Sequence, residues 1–362
     1  MVPHYIGPWE IVSVIGRGGV GVVYKTIHRT TRRLAALKLL GPAPVVDPRA
    51  ARRLAREFEV LERLDHPNVV RVYEAGVHEG YSYLAMELVE GLDLRAFLSP
   101  VLDETRALAT PSTDASLLSA SGSFAAEGEA LAEEEAGDGS ELGADAIRTL
   151  ATMMEEPETA PDGFHPLLHA APHLGERPPP RHPLSLELAA ALNRPRRMQR
   201  LSTALRQVLS GLDYIHHHEL VHRDLKPSNI MVDDHRVARL MDFGLVKNDD
   251  EGAEPLTGSG RVVGTYRYMS PEQAQGHLVD ERSDLYSLGV ILYELLSAAP
   301  PFTAADPAVL WQQILHDEPA PLATLNPGVD PTLAAVAEKC LAKEPAARFG
   351  SAAEILAVLG HA

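Results

Sequence analysis

Cysteine is almost absent from this chain of 362 residues, where Cys340 stands alone. No intrachain disulfide can form, which fits a reducing cytosol and predicts a cytoplasmic protein. Long apolar runs are missing too. No stretch reaches the roughly 18 apolar residues that a membrane-crossing helix needs, so no membrane span is expected. The N-terminus lacks the basic-then-apolar pattern of a secretion signal. The sequence ends soon after its last apolar helix, so no anchoring tail is expected. A basic surplus is also lacking: 33 Lys and Arg face 50 Asp and Glu, for a net charge of −17. Phosphate backbones would be repelled, which excludes a general nucleic-acid binder.

What is present is unevenly spread. Between Val101 and His182 there are 16 acidic residues against four arginines and no lysine, a net of −12. Ala, Glu, Ser and Pro dominate from about Ser99 to Pro195, and apolar periodicity is poor there. Such a stretch reads as a largely disordered or weakly helical insertion, although Leu184 to Leu192 has helical spacing. The flanks read differently. Ile11 to Lys38 has the texture of strand, Gly-rich turn and two further strands, and Tyr81 to Val89 that of a buried strand. Asp47-Pro48 suits a helix start, after which Leu54, Phe58, Leu61 and Leu64 repeat at helical spacing. Past the insertion, Leu201, Leu205, Val208, Leu212 and Ile215 mark one helix. Leu285 to Leu296 is apolar nearly all round, as a helix inside a core would be. The expected units are 1–98, a β-rich part with the start of a helical one; 99–195, the acidic insertion; and 196–362, the helical part.

Gly16-Arg17-Gly18-Gly19-Val20-Gly21-Val22-Val23 forms a G-x-G-x-x-G-x-V pattern. Glycines let backbone approach phosphates without Cβ clashes. Dinucleotide folds share the glycines but continue into a helix; here β-branched residues and Tyr24 follow, which favours strand–loop–strand. An ordinary Gly-rich hairpin fits the same residues. Lys38 is isolated among apolar neighbours. A cation held over phosphates needs a carboxylate to orient it, and Glu57, 19 residues later, is the candidate, ahead of Glu59 and Glu62.

The decisive run is His222-Arg223-Asp224-Leu225-Lys226-Pro227-Ser228-Asn229, followed by Asp242-Phe243-Gly244. With these in order, the chain resembles the eukaryotic-like, bacterial-type serine/threonine protein kinases. The resemblance covers nearly everything outside the insertion. It implies an α+β bilobal kinase fold, with a small β-rich N-lobe and a larger helical C-lobe. It implies transfer of the γ-phosphoryl group of Mg-ATP to Ser and Thr hydroxyls of protein substrates. Asp224 would accept the proton of the attacking hydroxyl, and Lys226 would meet the γ-phosphate. Asn229 and Asp242 would offer hard oxygens to Mg²⁺. Lys38, oriented by Glu57, would hold the α/β-phosphates under Gly16, Gly18 and Gly21. The Glu87 carbonyl and Val89 backbone would bind adenine between Val23, Ala36 and Met231, with Asp93 near the ribose.

By the same resemblance, Ser270-Pro271-Glu272 stands where Ala-Pro-Glu is usual, with Arg348 as partner of Glu272. Asp284 would hold the catalytic loop, and Tyr286 replaces a common Trp. Thr257 and Ser259 are expected phosphosites that pair with Arg223 and order the loop. Thr265 would be a structural contact to Asp224 and Lys226. His165, His169 and His173 are spaced like helix-borne metal ligands, but Pro166 and Pro172 break that helix. His216-His217-His218 reads as a solvated helix end. Two other readings are a catalytically dead scaffold that uses the acidic insertion for docking, and a small-molecule phosphotransferase. The complete set Lys38, Glu57, Asp224, Asn229 and Asp242 argues against the first. The full segment from Asp242 to Glu272, a peptide platform in this family, argues against the second.

Overall fold

The computed structural model describes residues 4–18, 21–42, 59–100, 182–243 and 266–360. Six antiparallel strands make the first lobe: β1 (Tyr5–Ile6), β2 (Trp9–Gly18), β3 (Gly21–His28), β4 (Leu34–Pro42), β5 (Val72–His78) and β6 (Tyr81–Met86). They lie in the order β1-β2-β3-β4-β6-β5. Period-two alternation sorts their side chains. Ile6, Trp9, Tyr24, Ala35, Leu37, Tyr83 and Ala85 bury one face as a small core. The Trp9 indole and the Tyr83 hydroxyl both donate to the Glu74 carboxylate, at 3.1 and 2.6 Å, so the aromatic polar ends are satisfied.

A larger core runs from Ala36, Leu84 and Met86 in that sheet through Val69 and Leu240 into the helical lobe. At its centre lies the helix Glu281–Ser297, which is buried on every side, as its apolar sequence requires. Asp280 caps its start, and Ala298 ends it in the left-handed conformation. The long helix Pro195–His217 buries Leu201, Leu205, Leu209, Leu212 and Ile215. Helices Pro307–His316, Pro331–Cys340 and Ala352–Gly360 complete the lobe.

A second sheet joins the lobes: β7 (Gly91–Asp93), β8 (Ile230–Asp233) and β9 (Ala238–Leu240). Here a glycine is needed. A Cβ on Gly91 would lie 2.2 Å from the Val232 carbonyl, so β7 reaches β8 only without a side chain.

Residues 182–195, read above as the tail of the insertion, are built into the helical lobe. Ser185 caps the helix Leu186–Leu192, and Leu192 is buried. Leu184 N–H bonds the Leu325 carbonyl at 2.8 Å, and Asn193 and Asn326 exchange amide bonds at 2.7 and 3.1 Å. The buried Arg197 then donates to three carbonyls: Nε to Leu98, Nη1 to Leu192 and Nη2 to Leu295, at 2.8, 2.8 and 2.7 Å. Two of these flank the acidic stretch. That stretch, with His165, His169 and His173, lies outside the described residues.

Candidate active site

The loop that carries Asp224 hangs from one carboxylate. Asp284, buried in the central helix, accepts the His222 N–H at 2.8 Å and the Arg223 N–H at 2.9 Å. Arg223 takes a left-handed backbone, φ 62°. Such strain costs about 1–3 kcal/mol unless the surroundings impose it. Asp284 imposes it from within, and Gln273 does so from the other side, donating to the Arg223 carbonyl at 2.9 Å. Gln273 is itself fixed by a capping box with Ser270.

His216 corrects the solvated-helix-end reading. Its ring is buried, and Nε2 lies 2.8 Å from Asp284 Oδ2. The sequence held the signal: His216 follows Leu212 by four residues, on the buried face. His217 and His218 do face outward, each bonding the carbonyl four residues back, at 2.7 and 2.8 Å. His222 is fully buried, and burial holds its pKa below the usual range. The neutral ring donates from Nε2 to the Met241 carbonyl at 3.0 Å and packs on Phe243.

From this scaffold the candidate catalytic groups project. Asp224 receives Lys226 Nζ at 2.7 Å. Asn229 Nδ2 donates to the Asp224 carbonyl at 2.8 Å and to its carboxylate at 3.1 Å. Among the described residues, the Asn229 carbonyl oxygen then has one long bond, from Ser228 at 3.5 Å. Met241 N–H bonds the Asn229 backbone carbonyl at 3.0 Å, which sets Asp242 beside it. Asp242 is also left-handed, φ 59°. Its Oδ1 is buried without a hydrogen bond, yet Lys38 Nζ stands 3.2 Å away, so the contact is ionic. Among the described residues, a carboxylate oxygen with only an ionic contact and an amide oxygen with only one long bond fit a hard divalent cation.

Lys38 reaches Asp242 from β4, where it pairs with Val23 on one side and Leu84 on the other. Ala36, two residues earlier, shares its face and pairs with Met86 at the strand end. Beyond it, Glu87 N–H bonds the Arg71 carbonyl at 2.8 Å, and the Glu87 carboxylate lies 3.6 Å from Arg239. Met231 on β8 pairs with Asp93 and with Arg239. Asp93 caps the helix Leu94–Phe97 through Ala96 N–H at 2.8 Å. Gly16 pairs with Val23 and Gly18 with Gly21, whose φ is 132°. The Gly-rich run therefore turns strand to strand.

The structure thus gathers Lys38, Asp224, Lys226, Asn229 and Asp242 into one cleft. Glu57, Thr257, Ser259 and Thr265 lie outside the described residues. Of the alternative partners of Lys38, Glu62 accepts from Ala75 N–H at 3.2 Å and Glu59 is exposed. The pairing of Lys38 with Asp242, and the role of Gln273, were not anticipated. Ser270-x-x-Gln273 was the available signal for the second.

Behind the site, Arg348 forks onto Glu272 at 2.7 and 2.8 Å, as expected. Burial would raise the Glu272 pKa, but bonds from Arg348 and Ser283 and the Arg348 charge outweigh it and lower it.

Residues 9–356 match the family described as protein tyrosine and serine/threonine kinase. The chain belongs to that kinase family. Among its relatives, serine/threonine-protein kinase PknB of Mycolicibacterium smegmatis is 35% identical over 360 residues, covering 98% of this kinase and 43% of the relative. A probable serine/threonine-protein kinase of Streptomyces coelicolor is 28% identical, covering 96% and 39%. The kinase thus spans less than half the length of these curated relatives. The PknI kinase domain of Mycobacterium tuberculosis superposes with a TM-score of 0.55 at 23% identity, over 99% of this chain and 97% of that one, a likeness of fold. These findings agree with the bilobal architecture and with a bacterial-type serine/threonine kinase family.

Proposed function

We propose that this chain transfers the γ-phosphoryl group of ATP to Ser and Thr hydroxyls of proteins. The observation that carries the reading is the Asp224–Lys226–Asn229 cluster, facing Lys38 and Asp242. Asp224 accepts the proton of the substrate hydroxyl as the oxygen attacks. Lys226, bonded to Asp224 at 2.7 Å, is placed to neutralise charge that gathers on the transferred group. Lys38 orients phosphates, with Glu57 as its second partner. Asn229 and Asp242 hold Mg²⁺, which when bound neutralises phosphate charge. The Glu87 carbonyl and Val89 backbone hold adenine between Val23, Ala36 and Met231, with Asp93 towards the ribose and Gly16, Gly18 and Gly21 over the phosphates.

The intact set argues against the scaffold alternative. Self-phosphorylation at Thr257 or Ser259, read out by mass spectrometry, is part of this proposal. A cytoplasmic site of action fits the single cysteine, Cys340, whose buried thiol is pushed up to about 12. The acidic stretch from Val101 to His182 is proposed to dock a basic partner, which a salt-sensitive pull-down tests.

The central test is labelled Mg-ATP with the purified chain and a generic protein substrate. Transfer to Ser or Thr is expected, and Asp224→Asn should lower it about 10²–10⁴-fold with the fold intact. Undiminished turnover in Asp224→Asn rules out this assignment.

A further inference from the structure

One amide side chain joins the short helix Pro271–Ala274 to the loop that carries Asp224. Gln273 Nε2 donates to the Arg223 carbonyl at 2.9 Å. Its Oε1 accepts from the Ser270 N–H at 3.0 Å and lies 3.3 Å from the Ser270 hydroxyl. The Gln273 N–H donates back to Ser270 Oγ at 3.3 Å. Both ends of the amide are thereby assigned, since the Ser270 N–H can only donate and the Arg223 carbonyl can only accept. Ser270 is fully buried, so no water competes for these bonds.

The bond lands on the peptide group that leads into Asp224. The Arg223 carbonyl and the Asp224 N–H belong to one planar unit. That N–H donates to the His222 carbonyl at 2.8 Å, which closes a γ-turn around Arg223 with its φ of 62°. γ-Turns of positive φ are rare and strained. Asp284 holds the two N–H groups upstream, of His222 and Arg223, and so leaves the rotation after the Arg223 Cα unset. Gln273 grips the plane beyond that rotation from outside the turn. The plane in turn fixes the direction in which the Asp224 side chain leaves the backbone.

We propose that Gln273, set by the Ser270 hydroxyl, is a positioning residue that locks this γ-turn and aims Asp224 at the substrate hydroxyl. The inference rests on the kinase reading and deepens it. The two neighbours demand an amide. A carboxylate would satisfy Ser270 but turn a negative oxygen towards the Arg223 carbonyl, and a leucine would satisfy neither. Alanine in place of Ser270 would keep the backbone bond to Oε1 and lose the hydroxyl. Ser270 is thus the half of the unit that orients the amide, and Gln273 the half that uses it. On the helix, the ionisable neighbour is Glu272, bonded to Arg348 and Ser283. On the loop side they are His222, Arg223, Asp224, Lys226 and Asp284. His316 ends the helix Pro307–His316, which packs against Pro271–Ala274.

The test measures kcat and KM of the full chain with Mg-ATP and a protein substrate, from about pH 6 to about pH 8.5, as ratios to wild type. Gln273→Leu should lower kcat about 10–100-fold with KM for ATP little changed, a loss of alignment. Gln273→Glu should show the same loss at the alkaline end, and its ratio to wild type should climb severalfold as pH falls. A carboxyl group facing a carbonyl takes up its proton more readily than usual, and the protonated form donates to Arg223 as the amide does. Ser270→Ala should cost about two- to fivefold in kcat, the size of one neutral hydrogen bond, and nothing further in the Gln273→Leu background. Thermal unfolding is followed for each chain. An unchanged kcat in folded Gln273→Leu overturns the inference. So does a Gln273→Glu ratio that is flat or falls towards acid. That variant matches wild type in shape and is compared within one preparation, so it decides alone if Gln273→Leu does not fold. Absence of all phosphate transfer by the wild-type chain overturns the kinase reading, and this inference with it. Transfer with a flat ratio overturns this inference alone.

Discussion

The two banks of the cleft are held by different kinds of bond. On the helical side, polar groups are buried and multiply bonded: Asp284 takes two backbone N–H groups and a histidine, and Glu272 takes a forked arginine. On the sheet side, among the described residues, Lys38 meets Asp242 through an ionic contact at 3.2 Å, and Lys25 meets Glu90 at 2.8 Å on the surface. Buried polar groups cannot trade partners with water, so the helical bank keeps one geometry. Exposed pairs trade freely, so the sheet bank can shift over a nucleotide. The contrast assigns rigidity to the side that carries Asp224 and adjustability to the side that carries Lys38.

The largest effect should come from breaking the helical bank at its base. Glu272→Ala leaves Arg348 buried without its partner, which should cost about 3–5 kcal/mol in a denaturant titration. The same pair gives a pH signature. The folded-state pKa of Glu272 is depressed, so its stabilisation is complete above the ordinary value near 4.5 and is lost as pH falls through the lower folded value. A Glu272→Gln chain should show a shallower acid transition; an unchanged one would mean the pair is not formed.

A smaller effect is expected one layer up. Asp284→Asn replaces an acceptor of two N–H bonds by a group with one donor end, so Arg223 should relax from its left-handed turn. We expect kcat to fall about 10–100-fold with KM for ATP little changed, since the loss is one of alignment. Equal loss in both parameters would blur the distinction between the banks.

The smallest effect belongs to the sheet side. Lys25→Ala removes an exposed pair and should leave the melting temperature within error. A clear drop would show that the adjustable bank is as fixed as the other.

Much of this was legible. The Gly-rich turn between strands, the buried central helix, and the order from His222 to Asp242 each follow from local pattern. So did the Glu272–Arg348 pair, through resemblance. What escaped depends on geometry across long separations. Lys38 and Asp242 share no local signal, because they lie far apart in the chain and on different sheets, and only the tertiary fold brings them together. His216 was hidden by composition: three histidines in a row look solvated, and helical phase alone says that the first faces inward. The helical spacing from Leu184 to Leu192 was legible and a helix stands at Leu186–Leu192, but its place in the helical lobe was not, since Pro and Arg around it resemble the insertion. Arg197 defied its charge, because three carbonyls at the ends of neighbouring segments replaced water around it.

That last guanidinium joins two points of the chain that stand far apart in sequence. Leu98 and Leu192 are gripped by the same side chain, and both belong to packed structure. The polypeptide therefore closes on itself there like a purse string. A nick between them should give two fragments that co-elute as one particle and part only in denaturant. Two separately expressed pieces, one ending and one beginning within that interval, should reassemble into a working molecule.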